Sequence, residues 1–150
     1  MRQRVSRFIA SVFGIGHIPL LPGTLASLAG LLFYAFYGGF LGAGILGWIA
    51  LIAVIGWIAS HLALKGEPDS DPSWIVIDEV IGMLVTFCFI PIRWPFLLLG
   101  FCLFRFFDIV KPFPVDRLER IPGASGVLLD DVGAGVYANL ILQIFVRLTS

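Results

Sequence analysis

Charged side chains are scarce in this sequence of 150 residues: Asp, Glu, Lys and Arg make up 13% of it, and apolar residues make up 59%. Globular domains average about 25% charged residues. Residues 8–64 contain no Asp, Glu, Lys or Arg, although one membrane-crossing helix needs only about 20 apolar residues. The composition therefore predicts an integral membrane protein, and the length predicts one domain over residues 1–150.

Cysteine and histidine, the usual ligands of zinc, are also nearly missing. The two cysteines, Cys88 and Cys102, lie in apolar runs, and His17 and His61 are the only histidines. The sequence therefore lacks the clusters of these residues that hold zinc. The formal net charge is +0, so nothing indicates a nucleic-acid partner.

The apolar sequence divides into five predicted helices, and it predicts an all-α fold, a multi-pass membrane bundle of about four to five apolar helices. Gly38 and Gly39 are predicted to separate the first two helices, and a polar loop at 65–73 follows the second. Arginines at the N-terminus precede a short apolar stretch without a convincing cleavage site, so we expect a retained interfacial or cytosolic helix there. Residues 116–120 are predicted to form a solvated surface helix. The five apolar helices are placed at residues 25–37, 41–64, 73–92, 96–110 and 127–146.

The segment GIGHIPLLPGTLAS, residues 14–27, is rich in glycine and proline and leads into the first apolar helix. We predict that Thr24 caps this helix. The open N–H groups at a helix start favour phosphate. The alternative interpretation is an ordinary connecting loop with a capping threonine.

The segment FRFFDIVKPFP, residues 104–114, ends a long apolar run with three charged side chains. Arg105, Asp108 and Lys111 stand three residues apart, so they lie roughly on one face of a helix. Pro112 is predicted to end that helix because it has no N–H to donate. Two acidic pairs also lie in apolar segments: Asp78 and Glu79 in the predicted second turn of the third helix, and Asp130 and Asp131 in the predicted first turn of the fifth.

The distribution of Lys and Arg predicts the orientation of the chain. With a cytosolic N-terminus, and apart from Arg105 inside a predicted apolar helix, Lys and Arg number seven inside and two outside, in accord with the positive-inside rule. The three acidic sites then all lie at the cytosolic ends of helices. Carboxylates at one depth indicate a site for Mg²⁺, which prefers oxygen ligands and often bridges to phosphate. Arg105 and Lys111 beside them could bind the phosphate of a lipid headgroup.

Four segments in this order resemble the phosphatidylglycerophosphatase A family over nearly the whole chain: GIGHIPLLPGTLAS at 14–27, IVIDEVIGM at 75–83, FRFFDIVKPFPVDRLER at 104–120 and GVLLDDVGAGVYAN at 126–139. The resemblance implies a Mg²⁺-dependent enzyme of the bacterial inner membrane that hydrolyses phosphatidylglycerophosphate to phosphatidylglycerol and phosphate. It implies phosphate binding by Arg105 and Lys111, supported by a loop that Pro22, Gly23 and Thr24 shape. The metal and catalytic centre that it implies consists of Asp78, Glu79, Asp108, Asp130 and Asp131.

Several alternatives stay open at this point. The attacking group is either an activated water or an aspartate, with Asp108 and Asp130 as candidates. Neither cysteine is followed by an arginine six residues later, which excludes the cysteine-phosphatase loop. A transporter would place its carboxylates nearer the middle of the bilayer, and a non-catalytic membrane protein would not need three acidic sites at one depth. Whether the chain forms a homo-oligomer is left open.

Overall fold

The computed structural model describes residues 2–67 and 72–149, and these residues form seven α-helices and no β-strand. The all-α prediction is therefore confirmed for the described part of the chain. Residues 68–71 of the predicted polar loop lie outside it. Two 3-10 turns, Ile15–His17 and Gly42–Gly44, connect helices. The helices are α1 (Arg2–Ala10), α2 (Pro22–Leu41), α3 (Ile45–Ala63), α4 (Ile77–Thr86), α5 (Trp94–Val110), α6 (Val115–Glu119) and α7 (Ala124–Thr149).

The first apolar hairpin turns later than the glycine pair predicted. Gly38 and Gly39 both lie inside α2, and the chain reverses through Gly42–Gly44. Gly42 has φ +45°, a conformation that favours glycine. A Cβ atom at Gly38 would overlap the Tyr34 ring. The predicted break at Gly38 and Gly39 was therefore wrong, because Gly38 makes room for an aromatic ring in the helix.

The third predicted helix, residues 73–92, is interrupted in the structure. Only Ile77–Thr86 is helical, and Phe89 in the following segment has φ +60°. Backbone carbonyls freed in an apolar bundle need other hydrogen-bond donors. Side chains from two neighbouring helices donate to them: Asn139 Nδ2 to the Thr86 and Cys88 carbonyls at 2.8 and 2.9 Å, Gln143 Nε2 to the Cys88 carbonyl at 3.3 Å, and the Tyr34 hydroxyl to the Ile90 carbonyl.

Helix starts differ from the predicted ones, and this changes the position of the acidic pairs. Asp78 and Glu79 lie in the first turn of α4, not the second, because the helix begins at Ile77 and not at residue 73. Asp130 and Asp131 lie in the second turn of α7, not the first, because α7 begins at Ala124.

Thr24 was predicted to cap α2, and this prediction was wrong. It is the third helical residue, because Pro22 takes the first position and Leu21 precedes it with φ +51°. Proline suits that position because it has no N–H to leave unpaired and its φ is already close to helical.

α4 lies at the centre of the fold, packed between α2 and α7. A Cβ atom at Gly135 of α7 would overlap the Gly82 carbonyl of α4, so the two backbones touch. Asp78 precedes Gly82 by four residues, and Asp131 precedes Gly135 by four. Residues four apart share one face of a helix, so this close contact also brings the acidic side chains together.

The outer surface of the bundle is strongly apolar. α3 and α7 are long and apolar enough to cross a membrane, judged by length and composition. Large apolar patches on a protein surface mark contact with other molecules or with a membrane. The exposed apolar side chains of these two helices include Leu46, Trp48, Leu51, Val54, Leu140, Ile144 and Leu148.

Candidate active site

A polar pocket of about 360 Å³ opens where the starts of α2, α4 and α7 meet the end of α5. All eight side chains that sequence analysis selected line it, although they come from four separate segments. The structure therefore brings the predicted site together in one place. These residues are Thr24, Asp78, Glu79, Arg105, Asp108, Lys111, Asp130 and Asp131.

Three of the acids form a compact cluster, which we call the three-acid cluster: Asp78, Glu79 and Asp131. One carboxylate oxygen from each lies within 4.8 Å of the other two. Asp78 Oδ1 and Glu79 Oε2 are buried and have no hydrogen-bond partner among the described residues. Unpaired buried carboxylate oxygens are costly, and a hard divalent cation such as Mg²⁺ takes oxygen ligands of this kind. The donor set therefore fits Mg²⁺.

The other two acids are each paired with a cation. Asp108 Oδ2 lies 2.7 Å from Arg105 Nη1, and Asp130 Oδ2 lies 2.7 Å from Lys111 Nζ. Asp130 Oδ1 also accepts the backbone N–H of Asp131 at 3.0 Å. The five acids thus divide into three that can share a cation and two that hold the basic side chains of the pocket.

Arg105 is oriented by a serine to which sequence analysis gave no role. Arg105 Nη1 donates to Ser27 Oγ at 3.3 Å, and that hydroxyl donates to the Gly23 carbonyl at 2.8 Å. Ser27 is completely buried. A polar residue at a core-facing position of an apolar helix was the available signal, since buried hydroxyls need partners.

Lys111 ends α5 in a left-handed conformation with φ +45°, and Pro112 follows it. The helix therefore ends where the proline predicted. Lys111 Nζ donates to Asp130 Oδ2 at 2.7 Å and to Glu119 Oε1 at 2.8 Å. Burial alone would lower the pKa of Lys111, but these hydrogen bonds and the two negative charges outweigh it and raise the pKa. The ammonium is therefore charged at neutral pH.

The prediction that residues 116–120 form only a solvated surface helix needs one correction, which concerns Glu119. That segment forms α6, as a surface helix, yet Glu119 contacts the lysine of the pocket. The sequence offered no periodic signal for this contact, because the turn through Pro112 and Pro114 lies between the two residues.

Together, the helical fold and this pocket define a class of protein. A carboxylate cluster beside Arg and Lys is suited to phosphate-ester hydrolysis, so the class is that of helical phosphatases. The model of one family, phosphatidylglycerophosphatase A, matches residues 8–146. The chain belongs to the phosphatidylglycerophosphatase A family and is a phosphatase.

Three curated relatives are similar over most of their length. A Bacteroides thetaiotaomicron protein, named provisionally as a phosphatidylinositol-3-phosphatase, is 36% identical over 91% of this chain and 90% of its own. The phosphatidylglycerophosphatase A of Haemophilus influenzae is 35% identical over 89% of this chain and 84% of its own. That of Escherichia coli K12 is 34% identical over 89% and 79%. No solved structure matches significantly.

Gly23 offers a test of the pocket in which none of the polar side chains is itself substituted. A Cβ atom there would overlap Glu79 Oε1, the mobile end of a side chain. We expect Gly23→Ala to displace the Glu79 carboxylate and to lower the rate of phosphate release about 100-fold, as misplacement by about 1 Å can do. The thermal unfolding midpoint should change little, because the carboxylate can move without disturbing the backbone.

Gly39→Ala is the matched control, on the same helix. A Cβ atom at Gly39 meets only Ile92 Cδ1, at 3.7 Å, which is an ordinary contact. Phosphate release by this variant should equal that of the native chain. Equal rates for both variants would show that Glu79 is not needed in its observed position.

Proposed function

We propose that the chain is a Mg²⁺-dependent phosphatase that hydrolyses the terminal phosphomonoester of phosphatidylglycerophosphate, giving phosphatidylglycerol and phosphate in phospholipid biosynthesis. The observation that carries the proposal is the three-acid cluster, with two unpartnered buried oxygens, in a pocket that also holds Arg105 and Lys111. Membership of the family supports the substrate.

We assign different roles to the acids of the two spatial groups. Asp78, Glu79 and Asp131 would hold Mg²⁺, which when bound offsets phosphate charge and promotes attack by water. Arg105 and Lys111 would bind the phosphate oxygens, for which charge-assisted hydrogen bonds are the strongest available. Asp108 and Asp130 would keep these two cations in place.

The ion pairs also bear on the attacking group. Asp108 and Asp130 each share an oxygen with a cation at 2.7 Å, which makes that carboxylate a weaker nucleophile. We therefore favour water over an aspartate. The attacking water would give up a proton as its oxygen bonds to phosphorus, the ester P–O bond would break, and the departing alkoxide would take up a proton to become the alcohol.

We further propose that the chain is a multi-pass protein of the bacterial inner membrane, with the pocket facing the cytosol. Beside α3 and α7, α2 has 20 residues and α5 has 17, and the interrupted segment 77–93 runs between α3 and α5. Five segments would then cross, one of them unwound where side chains pair its carbonyls. In this arrangement α2, α4 and α7 would start at the pocket and α5 would end there, on the side where most Lys and Arg lie.

A second substrate has support from one relative. The Bacteroides thetaiotaomicron protein is named for a phosphoinositide, and that lipid also carries a phosphomonoester on its headgroup. The residues of the pocket recognise the phosphate, which the two lipids share, so the two substrates have to be compared directly.

The test is phosphate release by the chain in detergent micelles, with Mg²⁺ or with EDTA. Phosphatidylglycerophosphate, phosphatidylinositol 3-phosphate and glycerol 3-phosphate are offered at equal concentration. We expect release from phosphatidylglycerophosphate that requires Mg²⁺ and exceeds release from the other two. Faster release from phosphatidylinositol 3-phosphate would identify that lipid, and not phosphatidylglycerophosphate, as the preferred substrate. No release with any divalent cation would favour the transporter, which a Mg²⁺ flux assay in vesicles would then test.

A further inference from the structure

Lys111 is held from two sides at the edge of the pocket. Its Nζ lies 2.7 Å from Asp130 Oδ2, which is buried, and 2.8 Å from Glu119 Oε1, on the outer surface. Asp130 stands next to Asp131 of the three-acid cluster. The ammonium therefore sits between an outer carboxylate and the acidic floor of the pocket.

Glu119 is in a position to fix that ammonium because its helix is anchored. Val115 of α6 is buried, and a Cβ atom at Gly133 of α7 would lie only 3.1 Å from the Val115 side chain. The Tyr137 hydroxyl of α7 donates to the Phe113 carbonyl at 2.9 Å, just before α6. These contacts hold α6 on α7, so Glu119 is presented by a fixed backbone.

The charges around Lys111 determine what Glu119 does. Arg105 is the other cation that lines the pocket, and it is paired with Asp108. If Glu119 lost its charge, the carboxylates left to attract the Lys111 ammonium would be Asp130 and, beyond it, the three-acid cluster. An ammonium drawn into that cluster would compete with a divalent cation for the same oxygens.

We propose that Glu119 is a positioning residue that holds the Lys111 ammonium at the rim of the pocket and keeps it out of the three-acid cluster, so that a divalent cation can bind there. This inference rests on the proposed Mg²⁺-dependent function and deepens it. The role belongs to a residue outside the pocket lining, on a helix that looked like plain solvated surface.

The test uses Glu119→Gln, which keeps the size of the side chain and removes its charge. We expect the Mg²⁺ concentration for half-maximal phosphate release to rise about tenfold, the lower end of the effect of residues that support metal ligands. Binding of Mn²⁺, measured by electron paramagnetic resonance without substrate, should weaken by the same factor. Glu119→Asp should recover part of the loss.

Two further variants separate this role from a general loss of charge. Asp116→Asn removes one negative charge from the same helix, but Asp116 pairs with Arg120, so both titrations should match those of the native chain. In a Lys111→Met background, Glu119→Gln should have no further effect, because the ammonium that it restrains is gone.

The outcomes distinguish this inference from the proposed function. If the native chain binds Mn²⁺ and releases phosphate while Glu119→Gln titrates identically, the role of Glu119 is wrong and the function stands. A Glu119→Gln effect that persists without Lys111 also overturns the role. If the native chain neither binds Mn²⁺ nor releases phosphate, the proposed function is what fails.

Discussion

Asp131→Asn should lower the rate of Mg²⁺-dependent phosphate release about 1,000-fold while the chain stays folded. Asp131 supplies one of the three oxygens that lie within 4.8 Å of one another. The amide has the same shape but no charge, so a divalent cation loses an anionic ligand. Folding should survive, because the substitution also removes repulsion between neighbouring carboxylates.

A stability measurement separates loss of the cation from loss of the fold. A ligand that binds only the native state raises the unfolding midpoint, so Mg²⁺ should raise it for the native chain and leave Asp131→Asn unchanged. Asp116→Asn, the same substitution outside the pocket, should keep both the activity and the Mg²⁺ effect. If Asp131→Asn retains more than a tenth of native activity, the three-acid cluster is not the metal site.

Gly135→Ala should both destabilise the bundle and inactivate it. The added Cβ atom would overlap the Gly82 carbonyl and approach Val85 Cβ to 3.1 Å. The first of these is backbone and cannot rotate away, so α4 and α7 must separate, at a cost of about 1–3 kcal/mol. The same separation moves Asp78 and Asp131 apart, since each acid lies one turn before its glycine. The rate of phosphate release should therefore fall by more than the loss of folded protein accounts for.

Gly47→Ala is the matched control, because it makes the same change in α3 where nothing lies within 4 Å of the added atom. Alanine has a higher helix propensity than glycine, so this variant should gain about 0.5–1 kcal/mol. Unfolding of both variants is followed by circular dichroism in micelles. Equal stability for the two would mean that α4 and α7 do not touch at Gly82 and Gly135.

Periodic and compositional signals were sufficient for the helical fold and for the charged residues that line the pocket. The apolar runs around α3, α5 and α7 are long and end at glycine, proline or charged residues, and each formed a helix close to its predicted range. The acids stood out because carboxylates in apolar sequence are costly. Where a helix is interrupted, however, hydrophobicity carries no signal: residues 87–92 are as apolar as α4 itself.

Side-chain packing decided the rest, and most of these contacts join segments that are far apart in the sequence. Gly38 and Gly39 looked like a turn, and only the position of the Tyr34 ring explains why Gly38 belongs in a helix. The unwound end of α4 depends on Asn139, more than fifty residues later in the chain. Ser27 and Glu119 were missed for the same reason, since each acts on a basic residue of another segment.

By itself, then, the sequence determined that the chain is helical and apolar. It also indicated that the acidic and basic residues within the apolar sequence belong to one functional site. Hydrophobic burial and the cost of isolated charges depend on the individual residue types, so both can be predicted directly from the sequence. The tertiary structure alone decided which acids lie close enough to share a cation and which pair with Arg105 and Lys111. Those roles depend on distances of a few ångströms between helices, and close packing of α4 on α7 sets these distances.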